Sequence, residues 1–394
     1  MAEPCAIIGL DLINALGIGS DAVWDEMMAY TCGIRSLKRF DHGRYRSDMA
    51  AEIPGPLLSQ LRDEARERHF SLAYSIARSA AHGALEAAFG GQRSTTPRRV
   101  GLVLATTKGD LPEFERQVQN REGPAKGLYN PYLLALELAR DLKLEGPVLA
   151  VSGACATGLL AMIHAVRLVQ RGGAEAVVAV GVDVLSDFVL SGFSSVGALA
   201  PEPCRPYDEK RKGLSLGEGA GAVVLVPGGT YPQKELALIS GWGVANDARH
   251  ITAPSPTANG LIQALRQTMA MACLEVDEVD YLNAHGTGTI YNDAMEARAI
   301  HQVFGESPPP VSSMKGYFGH TLGAAGIIEA ALTVVALRRK TVPASLGLEH
   351  PGADIPIQPV ATHLHRPPLT HALTIKSGFG GINVALSLSA LPSL

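Results

Sequence analysis

The amino-acid sequence predicts an α/β protein made of two similar halves. Short aliphatic and β-branched runs alternate with segments of helical periodicity. The order of these segments repeats after a polar joint with proline and glycine at residues 226–234. We therefore place the first half at residues 1–234 and the second at residues 235–394. We expect a ligand site where strand ends from both halves converge.

Each element of the first half has a local reason. Its strands are apolar runs bounded by glycine or polar turns, which is the pattern of buried strands. Its two clearest helices, at 71–89 and 155–170, repeat apolar residues at three-to-four spacing, and Gly172 and Gly173 end the second one. The strands are predicted at residues 6–9, 100–105, 148–151, 176–182 and 222–226.

The second half repeats the first in order. A strand with its turn, a helix, a second strand and a strand–helix unit recur, although their spacings differ. The sequence therefore indicates a duplicated βα unit with an enlarged first copy rather than a solenoid of fixed period. The corresponding segments are 6–17 and 237–248, 71–89 and 260–276, 100–105 and 281–284, and 147–152 with its following helix and 309–330.

Composition excludes several classes of protein. The 394 residues carry a net charge of −4, which argues against a generally basic nucleic-acid-binding protein. With 46% hydrophobic residues, the chain is neither disordered nor fibrous. Five scattered cysteines without a CxxC pair argue against a zinc site or a disulfide scaffold. Because no apolar run approaches the ~20 residues of a bilayer span, we expect a cytoplasmic protein without a membrane segment.

One cysteine has the setting of a nucleophile. In AVSGACATGLLAM, residues 150–162, a predicted strand runs through Gly153 and Ala154 into Cys155 and directly on into a helix. Small neighbours let the backbone turn sharply, and a helix N-terminus favours the thiolate, so we expect a lowered thiol pKa. The alternative is a buried structural cysteine, but the other four cysteines lack this context.

Two histidines follow strand-like runs in the second half. His285 lies in NAHGTGTIYNDAMEA at residues 283–297, and His320 lies in SSMKGYFGHTLGAAG at residues 312–326. A single histidine is usually structural, but two at matching strand ends beside a poised thiol suggest a shared pocket.

Five motifs in order carry a family resemblance: GACATG (153–158), RPYDEKRKGLSLGEGAGAVVL (205–225), NAHGTGT (283–289), K-x3-GHTLGAAG (315–326) and GFGGIN (378–383). With them, nearly the whole chain resembles the β-ketoacyl-[acyl-carrier-protein] synthases of class I/II, the condensing enzymes of fatty-acid and polyketide synthesis. The resemblance implies a thiolase-like α/β fold, in which two duplicated βα halves form an αβαβα layered core.

The resemblance also implies roles for individual residues. Cys155 would be the acylated nucleophile, and His285 and His320 would face it. Lys315 and Glu329 would form a buried charged pair behind the site. For that pair, the alternative is a salt bridge that only holds the halves together.

The implied chemistry is a decarboxylative condensation. An acyl group passes from a carrier thioester to Cys155, with an oxyanion hole made of the backbone N–H groups of Cys155 and Phe379. A malonyl thioester then loses CO₂, two imidazoles stabilise the enolate, and the carbanion attacks the acyl group to give a 3-oxoacyl carrier. No metal or other cofactor is required. Phe379 would also be the gating aromatic, and its alternative is a core phenylalanine in a glycine turn.

The implied partners are an acyl carrier protein and a second ketosynthase-like chain. The dimer would be a homodimer or a heterodimer with a homologous chain-length subunit, and residues 176–182 are the predicted dimer strand. Two basic clusters are candidates for binding an acidic carrier, although interleaved glutamates make a solvated face the alternative. The candidates are Arg62, Arg66, Arg68, Lys210, Arg211 and Lys212.

Related enzymes are separated by single residues. A thiolase would need a second cysteine near the C-terminus, but the last cysteine is Cys273. Class III synthases use Cys-His-Asn, whereas His320 favours Cys-His-His, and chain-length factors lack the nucleophile kept at Cys155. The remaining alternative is a non-catalytic or partner-dependent subunit. Departures from the family pattern, such as Ser377 where an aromatic is frequent, resemble synthases of specialised polyene or pigment clusters.

Overall fold

The fold is given by a computed structural model. The structure describes residues 3–67, 71–90, 97–120 and 129–391, without the side chains of residues 42, 62–67 and 120. Within these residues the strands are β1 (Cys5–Asn14), β2 (Gly17–Ile18), β3 (Arg35–Ser36), β4 (Met49–Ala51), β5 (Val100–Ala105), β6 (Val148–Val151), β7 (Ala176–Asp183), β8 (Leu216–Gly217), β9 (Gly219–Pro227), β10 (Ala237–Ile239), β11 (Trp242–Asn246), β12 (Tyr281–Asn283), β13 (Val311–Ser312), β14 (Thr341–Val342), β15 (Leu364–His365), β16 (His371–Gly378) and β17 (Ile382–Ser389).

The helices of the same residues separate these strands. They are α1 (Ser20–Met28), α2 (Gly55–Glu67), α3 (Leu72–Phe89), α4 (Leu111–Asn120), α5 (Pro131–Asp141), α6 (Thr157–Gln170), α7 (Asp187–Ser195), α8 (Asn259–Ala272), α9 (Ile290–Phe304), α10 (Lys315–Phe318) and α11 (Ala325–Arg339). Short 3₁₀ turns lie at His42–Arg44, Val276–Glu278 and Leu322–Ala324.

The main sheet repeats one strand order in its two halves. The second half runs β13-β12-β16-β17-β10, and the first half runs β6-β5-β7-β9-β1. In each half three strands are parallel and the next is antiparallel. The halves meet where β1 pairs antiparallel with β10, with Cys5 opposite Ile239. This repeated order confirms the predicted duplicated α/β fold.

Helices cover both faces of each half-sheet. α3 and α5 pack on the outer face of the first half, and α8 and α9 cover the second. α6 and α11 lie between the halves and contact strands of both. The two central helices approach closely, because a Cβ atom at Gly158 would lie 2.7 Å from the Cα atom of Gly326. The layers are therefore αβαβα, as the resemblance implied.

The central helix α11 is buried on all sides from Ala325 to Leu337. A helix that is apolar all round is typical of the interior of a large protein. Glu329 is the charged exception within this buried stretch and has no exposed surface. A buried carboxylate requires partners nearby, because its desolvation is otherwise costly.

The predicted dimer strand is wrong. Residues 176–182 form β7, which pairs on one side with β5 and on the other with β9. Its apolar run reflects burial on both faces, which is equally typical of an interior strand. Among the described strands, β6 lies at that end of the sheet, with the Leu149 side chain partly exposed.

In the part of the chain that the structure describes, no helix has the length and apolar character to cross a bilayer.

Candidate active site

Cys155 lies on a tight turn between β6 and α6. Ala154 has a φ of 49°, a left-handed conformation that non-glycine residues rarely adopt. The turn is held by Thr157, whose hydroxyl accepts a hydrogen bond from the Gly153 N–H at 2.8 Å and donates to the Ala154 carbonyl at 2.5 Å. This geometry confirms the predicted strand–turn–helix unit around the cysteine.

The thiol of Cys155 is buried at the turn. Burial raises its pKa to about 11, although the Lys315 ammonium and a hydrogen bond from the Phe379 N–H both act to lower it. The pKa reduction expected from the helix start is therefore outweighed by loss of solvent, a non-local effect. A Cβ atom at Gly378 would lie 3.2 Å from the Cys155 amide nitrogen, so the chain approaches Cys155 closely just before Phe379.

This environment predicts the pH dependence of alkylation. Below its pKa a thiol gains about tenfold in thiolate for each pH unit. Because the Cys155 pKa is raised to about 11, its alkylation rate is expected to rise about 100-fold between pH 7 and pH 9 and to keep rising at pH 10. Iodoacetamide labelling followed by peptide mass analysis measures this rate. A plateau below pH 8 would contradict the assigned environment.

His285 is held by a loop that two buried carboxylates bind. The loop follows β12, and Glu296 of α9 accepts hydrogen bonds from the N–H groups of His285 at 2.6 Å and Gly286 at 2.7 Å. Asp293, one helical turn earlier, accepts a bond from the Thr287 N–H at 3.0 Å. The first turns of α9 therefore set the conformation of the NAHGTGT motif.

His320 is held by the loop before α11. The backbone N–H of His320 donates to the Ser215 carbonyl at 2.8 Å. The imidazole Nδ1 accepts a hydrogen bond from the Leu322 backbone N–H at 3.3 Å. Because Nδ1 accepts, the ring proton of the neutral imidazole lies on Nε2. His320 is therefore oriented as a hydrogen-bond donor through Nε2.

The three side chains converge. One donor atom from each of Cys155, His285 and His320 lies within 4.8 Å of the others, and the two imidazole centroids are 5.2 Å apart with nearly perpendicular planes. Within the described residues, His285 Nδ1 and His320 Nε2 are buried without a hydrogen-bond partner. Burial, then Lys315 and further cations, lower the pKa of both imidazoles well below the usual range.

A metal ion fits this set poorly. Cysteine and two histidines are ligand types that zinc accepts. However, the neighbouring ammonium groups of Lys315 and Lys376 add positive charge where a divalent cation would sit. Neutral imidazoles with open nitrogens suit a developing negative charge on a substrate oxygen better.

A buried ion cluster lies behind the histidines. Lys315 Nζ is 2.7 Å from Glu329 Oε1, and Lys376 Nζ is 2.9 Å from Glu329 Oε2. All three side chains have no exposed surface. The sequence predicted the Lys315–Glu329 pair but not Lys376.

The cluster makes Glu329 important for stability. Replacing it in Glu329→Gln leaves two buried ammonium groups without their counterion, so the free energy of unfolding is expected to fall by about 3 kcal/mol. Chemical denaturation measures the change. The matched control is Glu137→Gln, which removes a partly exposed pair with Arg140 and is expected to cost less than about 1 kcal/mol. Equal losses in both variants would contradict the role of burial.

A cavity of ≈ 380 Å³ opens from the surface, and the thiol and the two imidazoles form its floor. Cys155, His285, His320 and Phe379 line it, together with polar side chains such as Thr287. Phe379 is 38% exposed and stacks on Phe193 with 5.8 Å between ring centroids. Its position at the cavity wall does not support the alternative of a core phenylalanine.

The predicted carrier-binding residues are only partly described. Arg68 and the side chains of Arg62 and Arg66 lie outside the described residues. Lys210 and Lys212 are exposed, and they form ion pairs with Glu349 and Glu202. The structure does not support Arg211 for docking, because its side chain is buried and its Nη2 lies 2.6 Å from Asp354.

Four residues that support the histidine loop were not predicted from the sequence. Asp293 and Glu296 accept hydrogen bonds from loop N–H groups, and Lys376 donates to Asn283, two residues before His285. The signal for the first two was available, since acidic residues in the opening turns of a helix after a glycine-rich loop often bind its amides.

The chain is similar to known proteins over nearly its whole length. Residues 2–228 match the model "Beta-ketoacyl synthase, N-terminal domain", and residues 236–349 match "Beta-ketoacyl synthase, C-terminal domain". A 3-oxoacyl-[acyl-carrier-protein] synthase 2 from Coxiella burnetii (strain RSA 493 / Nine Mile phase I) is 32% identical over 406 residues, with 97% of each chain covered.

Solved structures give the same result. A beta-ketoacyl synthase from Burkholderia phymatum STM815 superposes with a TM-score of 0.89 at 26% identity, covering 99% of this chain and 100% of that one. The ishigamide ketosynthase/chain length factor gives a TM-score of 0.91 at 25% identity, covering 100% of both chains. With the fold and the family models in agreement, the chain belongs to the beta-ketoacyl synthase family of condensing enzymes.

Proposed function

We propose that Cys155, His285 and His320 carry out the two half-reactions of this condensing enzyme. The observation that carries the proposal is their convergence within 4.8 Å at the floor of one cavity. In the first half-reaction the Cys155 sulfur attacks the acyl thioester of a carrier. The carrier sulfur leaves with the proton that the thiol gives up. The N–H groups of Cys155 and Phe379 are the proposed donors to the tetrahedral oxyanion.

In the second half-reaction a malonyl thioester enters the same cavity. Its carboxylate leaves as CO₂, and the electron pair of the broken C–C bond moves to the α-carbon and the thioester oxygen. The Nε2–H of His320 supports this step, because its tautomer is fixed by the Leu322 N–H. A neutral His285 supplies the second proposed donor. The α-carbon then attacks the acyl carbon, and the bond between that carbon and the Cys155 sulfur breaks. The thiolate takes up a proton from solvent, which regenerates Cys155 and leaves a 3-oxoacyl thioester.

We propose an acyl carrier protein as the source of both thioesters. The Coxiella relative is named for an acyl-carrier-protein substrate. Lys210 and Lys212 remain candidates for contacting an acidic carrier, and Lys212 also lines the cavity. Arg62, Arg66 and Arg68 stay as sequence-based candidates for the same surface.

We propose that the chain works as a dimer. The ishigamide neighbour is titled a ketosynthase/chain length factor, so a homologous second subunit is one form of this proposal and a second copy is the other. Among the described strands, β6 leaves one side unpaired at the sheet end and leads directly to Cys155, which makes it the candidate interface. A monomer with full activity in light scattering at micromolar concentration would contradict it.

We propose a boundary between halves near residues 234 and 235, supported by the repeated strand order and by family models that end at 228 and begin at 236. We also propose a cytoplasmic location, supported by five cysteines without disulfides.

The direct test of the proposed function is the mass of the intact protein after mixing with a panel of acyl carriers. We expect one acyl group on Cys155 with at least one carrier. A non-catalytic subunit would give no acyl-enzyme with any carrier, either alone or with a homologous partner. Stoichiometric alkylation of Cys155 by an active-site thiol reagent would further support a catalytic subunit over a non-catalytic one.

A further inference from the structure

Lys376 is a buried cation that the proposed mechanism does not use. It lies near the end of β16, two residues before the glycine that adjoins the Cys155 amide, and it has no exposed surface. Its ammonium lies 2.9 Å from Glu329 Oε2 and donates to the Ile375 carbonyl at 2.9 Å and to Asn283 Oδ1 at 3.3 Å. A lysine is almost never fully buried unless it has such partners.

The contacts of Lys376 lead to His285. Asn283 ends β12, and His285 follows it by two residues on the loop that Glu296 holds. Lys376 therefore joins the central helix α11, through Glu329, to the end of the strand that leads into the loop of this histidine. Thr374 on the same strand donates to the same Asn283 Oδ1 atom at 2.9 Å but carries no charge.

The charge of the cluster is unbalanced. One ammonium, that of Lys315, would neutralise Glu329, but the cluster holds two ammonium groups and one carboxylate. Burying a further cation is costly, so a purely structural pair would not need it. The extra charge acts on the histidines, because Lys376 is one of the cations that lower the pKa of both His285 and His320.

We propose that Lys376 is a positioning residue of the condensing site. It acts through Glu329 and Asn283 to hold His285. Its extra positive charge keeps both imidazoles neutral and favours the enolate. This inference rests on the proposed decarboxylation at the two histidines. It assigns Lys376 no contact with substrate.

The groups that face Lys376 come from several elements. Glu329 of α11 and Glu296 of α9 favour its charged form, and Lys315 of α10 opposes it. His285 and His320 lie on the adjoining loops, and Asn283 contributes an uncharged oxygen. Burial lowers the pKa of Lys376 to about 8, so the group is charged at neutral pH and loses its proton in mild base.

The test compares charge removal with hydrogen-bond removal. Lys376→Met and Lys376→Gln both remove the charge, and the glutamine keeps a donor. The matched control, Thr374→Val, removes a bond to the same asparagine oxygen without changing charge. The readouts are CO₂ release from malonyl-pantetheine against pH, and imidazole titration followed by NMR of histidine-labelled protein. Thermal unfolding identifies variants that do not fold.

Removing the charge is expected to slow CO₂ release at pH 7 by about tenfold and to raise the imidazole pKa values by about one pH unit. In Thr374→Val the imidazole pKa values are expected to stay within about 0.3 pH unit of those of the unmodified protein, because this variant removes a bond to Asn283 but no charge. In the unmodified protein, CO₂ release is expected to fall as the pH rises through 8, where Lys376 loses its proton.

Unchanged imidazole titration in a folded Lys376 variant would overturn the inference. If neither variant folds, the unmodified protein decides, because a rate that stays constant from pH 7 to pH 9.5 also overturns it. Failure of the proposed function gives a different result. In that case the unmodified protein releases no CO₂ from any malonyl thioester, while the imidazole titration still reports whether Lys376 acts on the histidines.

Discussion

Cys155→Ala is expected to abolish both acyl-enzyme formation and condensation. The variant is expected to keep the strand–turn–helix backbone, because an alanine is small enough for this turn, as Ala154 and Ala156 on either side show. It removes the sulfur that accepts the acyl group. With no covalent acceptor at the cavity floor, the second half-reaction has no electrophile to attack. Intact-protein mass and product formation with an acyl carrier and malonyl carrier measure the two losses.

Cys273→Ala is the control for this variant. Cys273 is exposed just after α8 and does not line the cavity, so its loss is expected to leave acylation unchanged. Acyl mass that persists on Cys155→Ala, or that disappears in Cys273→Ala, would show that the nucleophile is assigned wrongly.

Alanine at His285 or His320 is expected to reduce condensation by ~10²-fold or more, the usual loss for one charge-stabilising donor. Acylation of Cys155 should change less, because that step has backbone N–H donors. Since the pKa of both imidazoles is lowered well below the usual range, the rings stay neutral and CO₂ release is expected to vary little between pH 6 and pH 7.5. Separate assays of acyl transfer and CO₂ release measure the two steps.

His164→Ala is a matched control, because this histidine lies on α6 outside the cavity lining. It is expected to leave both steps within about twofold of the unmodified protein. Loss of acylation with intact CO₂ release in both His285→Ala and His320→Ala would reverse the proposed division of roles.

Much of the fold could be predicted because it depends on local pattern. Strands at 100–105 and 148–151 have the predicted bounds, and the helix predicted at 71–89 is observed as Leu72–Phe89. The helix predicted at 260–276 ends at Ala272, because the next residue, Cys273, adopts a left-handed conformation. A cysteine side chain gives no sequence signal for that conformation. Apolar runs do not distinguish an interior strand from an edge strand, which explains the wrong dimer strand.

The site was predictable where chemistry follows a motif and not where it depends on packing. Cys155, His285 and His320 each carry a glycine-rich signature, and the structure brings them together. Lys376 and Glu329 are 47 residues apart on a strand and a buried helix, so nothing local indicates their contact. The direction of the Cys155 pKa shift likewise depends on burial of the thiol in the folded protein. The start of α6 does not determine it.

Both half-reactions are expected in one cavity, where Cys155 is acylated first and a malonyl thioester is then decarboxylated onto that acyl group. A single-turnover experiment tests this most directly: acyl-enzyme is prepared, freed of the acyl donor, mixed with malonyl carrier and quenched at intervals for mass analysis. The predicted result is loss of the acyl mass from Cys155 together with one equivalent each of CO₂ and 3-oxoacyl carrier. Release of CO₂ while the acyl group stays on the cysteine, or 3-oxoacyl product without a prior acyl-enzyme, would contradict this order of steps.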